Sequence, residues 1–169
     1  MDAASLTEVD RTAARDILDL IARDAAELVR RAMSITLRQS PNLPRDIARK
    51  LAADVDSVAT PVLETSPVLT DEDLLVVLQT AETTKRCAIA GRSRVAPIVV
   101  HEILDSGDDA AVSVAASNDG AEFDDAAYQR AFTEFCENSG GLDAFVARPQ
   151  FPLTVAEGLI AHVSHVALQ

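Results

Sequence analysis

The sequence is poor in aromatic residues, glycine and cysteine. It has no tryptophan, one tyrosine and five phenylalanines, with only six glycines and two cysteines in 169 residues. Two cysteines do not make a disulfide framework, so we expect Cys87 and Cys136 to be small apolar core residues in a reducing cytoplasm. A core that depends on alanine and leucine favours an all-α fold, because these residues are the best helix formers.

The chain also lacks a long apolar run and an excess of basic residues. Residues 74–78 and 96–100 are its longest apolar runs, with five residues each, whereas a membrane helix needs about 20. No signal-peptide pattern is present at the N-terminus, so we expect a cytoplasmic protein that does not bind membranes. With 27 acidic and 15 basic residues, the net charge of −12 also argues against nucleic acid as a partner.

The charge is unevenly distributed along the chain. Residues 102–143 hold eleven acidic residues and one arginine, while residues 30–50 hold six basic residues and one acidic residue. Solvated helix faces are the common explanation for such segregation. The alternative is that the acidic region attracts a protein partner with a basic surface. The candidate partner-binding residues are Asp105, Asp108, Asp109, Asp119, Asp124 and Asp125.

A helical pattern repeats at intervals of 26 to 30 residues. The motif Ser-Pro-x-Leu occurs at 40–43 and again at 66–69, and a large apolar residue recurs at the equivalent place in five units: Leu43, Leu69, Val95, Phe123 and Leu153. Each unit contains a short alanine-rich helix followed by a second helix. We therefore predict an all-α fold, a right-handed α-solenoid of four to five stacked helical hairpins with an N-terminal capping helix.

Four of the second helices carry their own start signals. Thr70 and Asp124 fit N-cap positions, and Pro97 fits the first position of a helix, where its missing N–H is not needed. Thr154 with Glu157 has the spacing of a capping box. Phe123 and the tyrosine five residues later fit the two positions of a hydrophobic staple around Asp124.

The two ends of the chain differ from the repeats. We interpret residues 1–38 as a capping helical segment and residues 39–169 as one continuous domain of repeats. An apolar stripe continues along the last helix to the end of the chain, at Leu159, Ile160, Val163 and Val166. Either another copy or a partner covers this stripe, which would make a homodimer, or the chain is the front part of a longer protein. We favour the second interpretation.

Several blocks of the sequence resemble a bacterial family of helical-repeat proteins that is known only as a domain of unknown function. The resemblance lies in residues 43–47, the block 58–69 with its Ser-Pro-Val-Leu turn, residues 87–92 and residues 142–153, and it extends over about residues 38–169. It implies a HEAT-like or leucine-rich-variant α-solenoid. It implies no activity, substrate or cofactor.

Polar residues follow the first helix of three successive units, at Arg92, Asn118 and Arg148. Such residues can bond the carbonyl groups that a helix leaves unpaired at its C-terminal end. The alternative is a polar ladder that lines one face of the solenoid and binds a ligand together with His101. His162 and His165 lack further metal ligands, and the glycine-containing acidic turns fail the calcium-loop pattern, so we expect no metal and no cofactor.

The absence of a clustered acid–base or nucleophile set leads us to expect a non-catalytic protein–protein interaction or regulatory adaptor module. Two alternatives remain open at this stage. One is a small-molecule sensor or enzyme that uses the polar ladder, which a pocket converging on those side chains would favour. The other is a structural dimerisation module that acts through the C-terminal stripe.

Overall fold

The structure, a computed structural model, describes residues 26–135 together with Phe145 and Arg148. This part of the chain contains eight helices and no strand, which confirms the all-α class. The helices are α1 (residues 26–37), α2 (Arg45–Ala52), α3 (Asp56–Thr65), α4 (Asp71–Leu78), α5 (Thr83–Ala90), α6 (Pro97–Asp105), α7 (Asp109–Ser117) and α8 (Asp125–Phe135). Most of the 1–38 segment, Cys136 and the stripe of Leu159, Ile160, Val163 and Val166 lie outside the described residues.

Alternate helices contact one another in two rows. Helices α3, α5 and α7 follow each other in one row, and α4, α6 and α8 follow each other in the second. The apolar side chains between the rows are fully buried and make one continuous core, as Val62, Ile89 and Ile103 illustrate. Each row therefore joins hairpins that are adjacent in sequence, and the turns lie at the ends of the helices.

The predicted helix starts are confirmed wherever the structure describes them. Thr70 and Asp73 form a capping box at the start of α4, and Pro97 is the first residue of α6. The amide of Ala127 donates to Asp124 Oδ1 at 2.8 Å, just ahead of α8. The staple rings of Phe123 and Tyr128 lie 5.3 Å apart. Thr154 lies outside the described residues.

The turns that precede α6 and α8 are joined by backbone hydrogen bonds around Gly120. The amide of Val95 donates to the carbonyl of Gly120, and the amide of Glu122 donates to the carbonyl of Val95, both at 2.9 Å. A Cβ atom at residue 120 would lie 2.2 Å from the carbonyl oxygen of Ser93. Only glycine therefore allows the two backbones to approach this closely.

We predict that Gly120→Ala destabilises the protein by about 2 kcal/mol or more, because a backbone carbonyl cannot move aside for the new methyl group. Gly107→Ala is the control: Gly107 has a φ of 63° but no atom within 4 Å of the added Cβ, so its cost is backbone strain of about 1 kcal/mol. Urea unfolding followed by circular dichroism measures both. Equal losses for the two variants would contradict the close approach at Gly120.

Candidate functional site

The first side chain of the predicted polar ladder, Arg92, reaches across to the preceding hairpin. Its Nη2 donates to the carbonyl of Ser66 at 2.8 Å, and its Nη1 donates to the carbonyl of Leu63. Both carbonyls belong to the C-terminal end of α3. Burial lowers the pKa of the Arg92 guanidinium. Arg92 thus donates hydrogen bonds to carbonyl groups that have no hydrogen-bond partner within α3 itself.

Asn118 repeats the arrangement one hairpin later. Its Nδ2 donates to the carbonyls of Ala90 and Arg92, at 2.8 and 2.7 Å, at the end of α5. Its Oδ1 accepts the amide of Gly120 at 2.9 Å. The side chain therefore ties the end of α5 to the turn that follows α7.

Arg148 makes the third set of these contacts, at the end of α7. It is 8% exposed and donates to the carbonyls of Ala116 and Asn118, at 2.9 and 2.8 Å, and to that of Ala121. Its guanidinium carbon lies 4.8 Å from the centre of the Phe123 ring. The buried cation is held by neutral acceptors and an aromatic face, which is a recurrent environment for arginine.

The expectation that Arg92, Asn118 and Arg148 bond helix-end carbonyls therefore describes their contacts, with one correction. Each side chain bonds the first helix of the preceding hairpin, not the helix that it follows in sequence. The same hydrogen bonds therefore satisfy the carbonyls at a helix end and connect two neighbouring hairpins. We call these three side chains and their carbonyl partners the carbonyl ladder.

Among the described residues, the carbonyl ladder has no member between α1 and α3. The position 26 residues before Arg92 is Ser66, whose side chain is fully buried and whose Oγ has no hydrogen-bond partner. Serine is too short to repeat what arginine and asparagine do in the later hairpins. A buried hydroxyl without a partner costs stability.

We predict that Arg92→Met destabilises the protein by about 1–3 kcal/mol, because it leaves two helix-end carbonyls unpaired. Ser66→Ala is the matched change at the equivalent position, and we expect it to leave the stability unchanged or raise it by up to about 1 kcal/mol. Urea unfolding curves give both values. A loss in Ser66→Ala as large as that in Arg92→Met would mean that the Ser66 hydroxyl has a partner.

Three of the six candidate aspartates are occupied by contacts within the chain. Asp105 forms an ion pair with Arg130. Asp108 caps α7 through the amide of Ala111 at 3.2 Å, and it also accepts hydrogen bonds from Thr83 and Arg86 on α5.

Asp124 caps α8 and lies 3.0 Å from Nε2 of His101 on α6. The hydrogen bond with His101, together with that from the amide of Ala127, holds the pKa of the Asp124 carboxyl below its ordinary value. His101 is therefore part of a link between α6 and α8. The geometry does not place it with Arg92, Asn118 and Arg148.

The other three candidates, Asp109, Asp119 and Asp125, are exposed and form no ion pair within the described part of the chain. They do not form one patch. Asp109 is the first residue of α7 and Asp119 follows its end, and a helix of nine residues is about 13 Å long. Only Asp119 and Asp125 share one end, at the turn between α7 and α8. We call this pair the acidic turn.

The contacts of Asp108 predict how stability depends on pH. Burial alone raises the pKa of the Asp108 carboxyl, but the hydrogen bonds from Thr83, the Ala111 amide and Arg86 outweigh burial, so the pKa is lowered. A carboxyl with a lowered pKa contributes stability above its unfolded-state value and loses that contribution as the pH falls through the folded-state value.

We therefore predict that Asp108→Ala lowers the free energy of unfolding by about 1–2 kcal/mol at pH 7, and that the difference from the unmodified protein shrinks below about pH 4. Thermal unfolding between pH 2.5 and 7 measures it. Asp109→Ala is the control, because this neighbouring carboxylate is exposed and has no partner in the described residues. A difference that persists at pH 2.5 would contradict the prediction.

Two surface grooves lie among the described residues, and one of them borders the carbonyl ladder, because Gly91 and Ser93, on either side of Arg92, line it. One has a volume of about 480 Å³ and includes Glu64, Cys87 and Ser93 in its lining; the other, of about 420 Å³, lies between α2 and α4. Neither is lined by His101 or by a side chain of the ladder. Cys87 is a half-buried free thiol that packs against the core, and burial raises its pKa.

The described residues contain neither a membrane-spanning helix nor a metal-ligating cluster. None of the described helices is long and apolar enough to cross a membrane. No group of three or more histidine, cysteine, aspartate or glutamate side chains lies close enough together there to hold a metal ion.

The described part of the chain is thus all-helical, and from α3 onward its successive hairpins are joined through helix-end carbonyls. The chain belongs to a bacterial family: the family model described as "Uncharacterised protein conserved in bacteria (DUF2336)" matches residues 58–169, about two thirds of the chain. This confirms the predicted membership of a bacterial domain family of unknown function. The match begins within α3, so it starts about 20 residues later than the expected resemblance and leaves out α1 and α2. No curated protein and no solved structure shows a significant match.

Proposed function

We propose that the chain is a right-handed, HEAT-like α-solenoid that works in the cytoplasm as a non-catalytic protein–protein interaction or adaptor module. Two features support the solenoid: the helices alternate between two rows, and the carbonyl ladder recurs at the repeat spacing. In an architecture of this kind each hairpin contacts only its neighbours, which leaves an extended outer surface free for partners.

The acidic turn is the surface that supports this function best. Asp119 and Asp125 are exposed and unpaired in the described part of the chain, while nearby carboxylates, such as those of Glu122 and Asp124, pair with Arg94 and His101. Only an unpaired, solvated carboxylate is available to a partner without breaking a contact within the chain. The proposed partner is a protein with a basic surface, which the net charge of −12 would also attract over a distance.

The polar ladder is a structural feature in this proposal and not a ligand site. The donors of Arg92, Asn118 and Arg148 already bond backbone carbonyls, so a ligand would have to displace them. The alternative function as a sensor or enzyme therefore has no specific observation in its favour. The dimerisation alternative depends on residues outside the described part of the chain.

We predict that the double variant Asp119→Asn/Asp125→Asn binds its basic partner roughly fivefold or more weakly, because two exposed ion pairs contribute about 0.5 kcal/mol each. The partner is first captured on the immobilised full chain from a lysate of the native host and identified by mass spectrometry. Its affinity for both proteins is then measured by calorimetry at two salt concentrations.

Asp46→Asn/Glu64→Gln is the control, because it removes the same charge from two exposed residues outside the acidic turn. We expect it to bind almost as tightly as the unmodified chain. If both double variants lose the same affinity, the attraction comes from net charge alone and the acidic turn is not the contact. If neither loses affinity, the partner binds elsewhere.

A further inference from the structure

The first helical hairpin, formed by α1 and α2, is attached differently from the hairpins that follow it. Within residues 26–37, the only buried side chain is that of Ser34, which is polar. Most apolar side chains of α1 face outward, and Leu28 and Val29 are 67% and 61% exposed. Leu37, at the end of α1, packs against the core but is only partly buried. Helix α1 therefore contributes no fully buried apolar side chain to the core.

Hydrogen bonds and an ion pair hold α1 against α3 and the turn before it. Ser34 Oγ donates to the buried carbonyl of Val58 at 2.6 Å, and Ser57 Oγ donates to Glu27. Arg30 pairs with Asp54, with Nε 2.6 Å from Oδ2. Bonds of this kind replace bonds to water, so each adds far less to cohesion than buried apolar surface does.

Helix α2 contacts α3 but does not pack against α4 in the way that α4 packs against α6 and α6 against α8. The space between α2 and α4 is the groove of about 420 Å³, and Val76, in its α4 wall, is 57% exposed. Arg45 and Arg49 on the α2 side both reach Asp73 of α4 across the groove. The row that α4, α6 and α8 form is thus interrupted before α2.

The missing member of the carbonyl ladder falls at the same junction. Ser66 provides no donor to the first hairpin, whereas every later junction within the described residues has one. The family match begins at residue 58, in α3, and so leaves the first hairpin out. The break in the row of α4, α6 and α8, the missing ladder donor and the start of the family match therefore all fall close to the junction between the first hairpin and the next.

We propose that α1 and α2 open together from the α3–α8 body as a separate cooperative unit, about a hinge at residues 53–55. Lys85 Nζ on α5 donates to the carbonyl of Asp54 at 2.6 Å, which fixes the pivot to the body. Opening would expose Leu43 and Leu51, which are buried, and also Leu37 and Ile47, which are partly buried. A partner that binds only the open or only the closed state of the hairpin would shift the equilibrium between these two states. This proposal does not depend on the acidic turn.

Native-state hydrogen exchange of the full chain, read by mass spectrometry, tests the hinge. We expect protection factors over residues 26–52 to be about tenfold or more lower than those over residues 58–63 and 99–104. Ser34→Ala should raise the exchange rates over residues 26–52 by about fivefold and leave residues 99–104 unchanged. Similar protection in all three regions would overturn the proposal.

Ser106→Ala is the matched control, because Ser106 Oγ donates to the carbonyl of Ile103 at 2.6 Å within the body. It should leave exchange over residues 26–52 unchanged. If Ser34→Ala speeds exchange equally in the body, the chain opens as one unit and the hinge is wrong. Should Ser34→Ala not fold, Arg30→Met removes the partly exposed ion pair with Asp54 and must give the same regional pattern.

Discussion

A helix leaves its last carbonyl groups without partners inside the helix, and in this protein the following hairpin supplies the donors. Arg92, Asn118 and Arg148 each reach back to the end of the preceding first helix. One set of hydrogen bonds thereby satisfies the carbonyls at the end of a helix and holds the next hairpin at a fixed distance from it. Because backbone carbonyls are present whatever the side chains are, this device needs only one long polar residue in each repeat. The spacing of that residue then fixes the register of the row.

Local signals in the sequence predict the hairpins well, and contacts between hairpins poorly. The anchors Leu43, Leu69 and Val95 are buried as their spacing indicates, and the capping box at Thr70 needs only residues three apart. The sequence does not show which helix each ladder side chain bonds. A polar residue that follows a helix can bond the carbonyls of that helix or those of the helix packed beside it, and both arrangements have the same sequence pattern. Only the stacking of hairpins decides between them. For the same reason, nothing in the sequence indicated that Thr83 and Arg86 bond Asp108.

The stacking of the hairpins also changes the interpretation of the acidic region, residues 102–143. Bases that lie 22 or more residues away in sequence neutralise its carboxylates: Arg86 meets Asp108, Arg94 meets Glu122, and Arg130 meets Asp105. Much of the negative charge is therefore used to join neighbouring hairpins. The charge that a partner can use is what such pairing leaves over, as at Asp119 and Asp125. For the proposed interaction, net charge predicts the sign of the partner's charge, whereas burial and ion pairing limit which carboxylates are available to it.

The junctions of the described chain differ in strength, and this difference gives the molecule a rigid part and a movable part. From α3 onward, apolar packing and the carbonyl ladder act at the same junctions, so these hairpins cannot separate without losing both. Before α3 the described residues provide no ladder donor, and α1 is held mainly by polar contacts, with Leu37 as its one partly buried apolar contact to the core. Within the rigid part, α5 contacts both the hinge and the start of α7, since Lys85 bonds the carbonyl of Asp54 and Arg86 bonds the cap residue Asp108. Coupling between distant sites needs an element with two arrangements, and α5, held on both sides, does not provide one. We therefore expect the proposed opening of the first hairpin and the proposed binding at the acidic turn to be independent of each other.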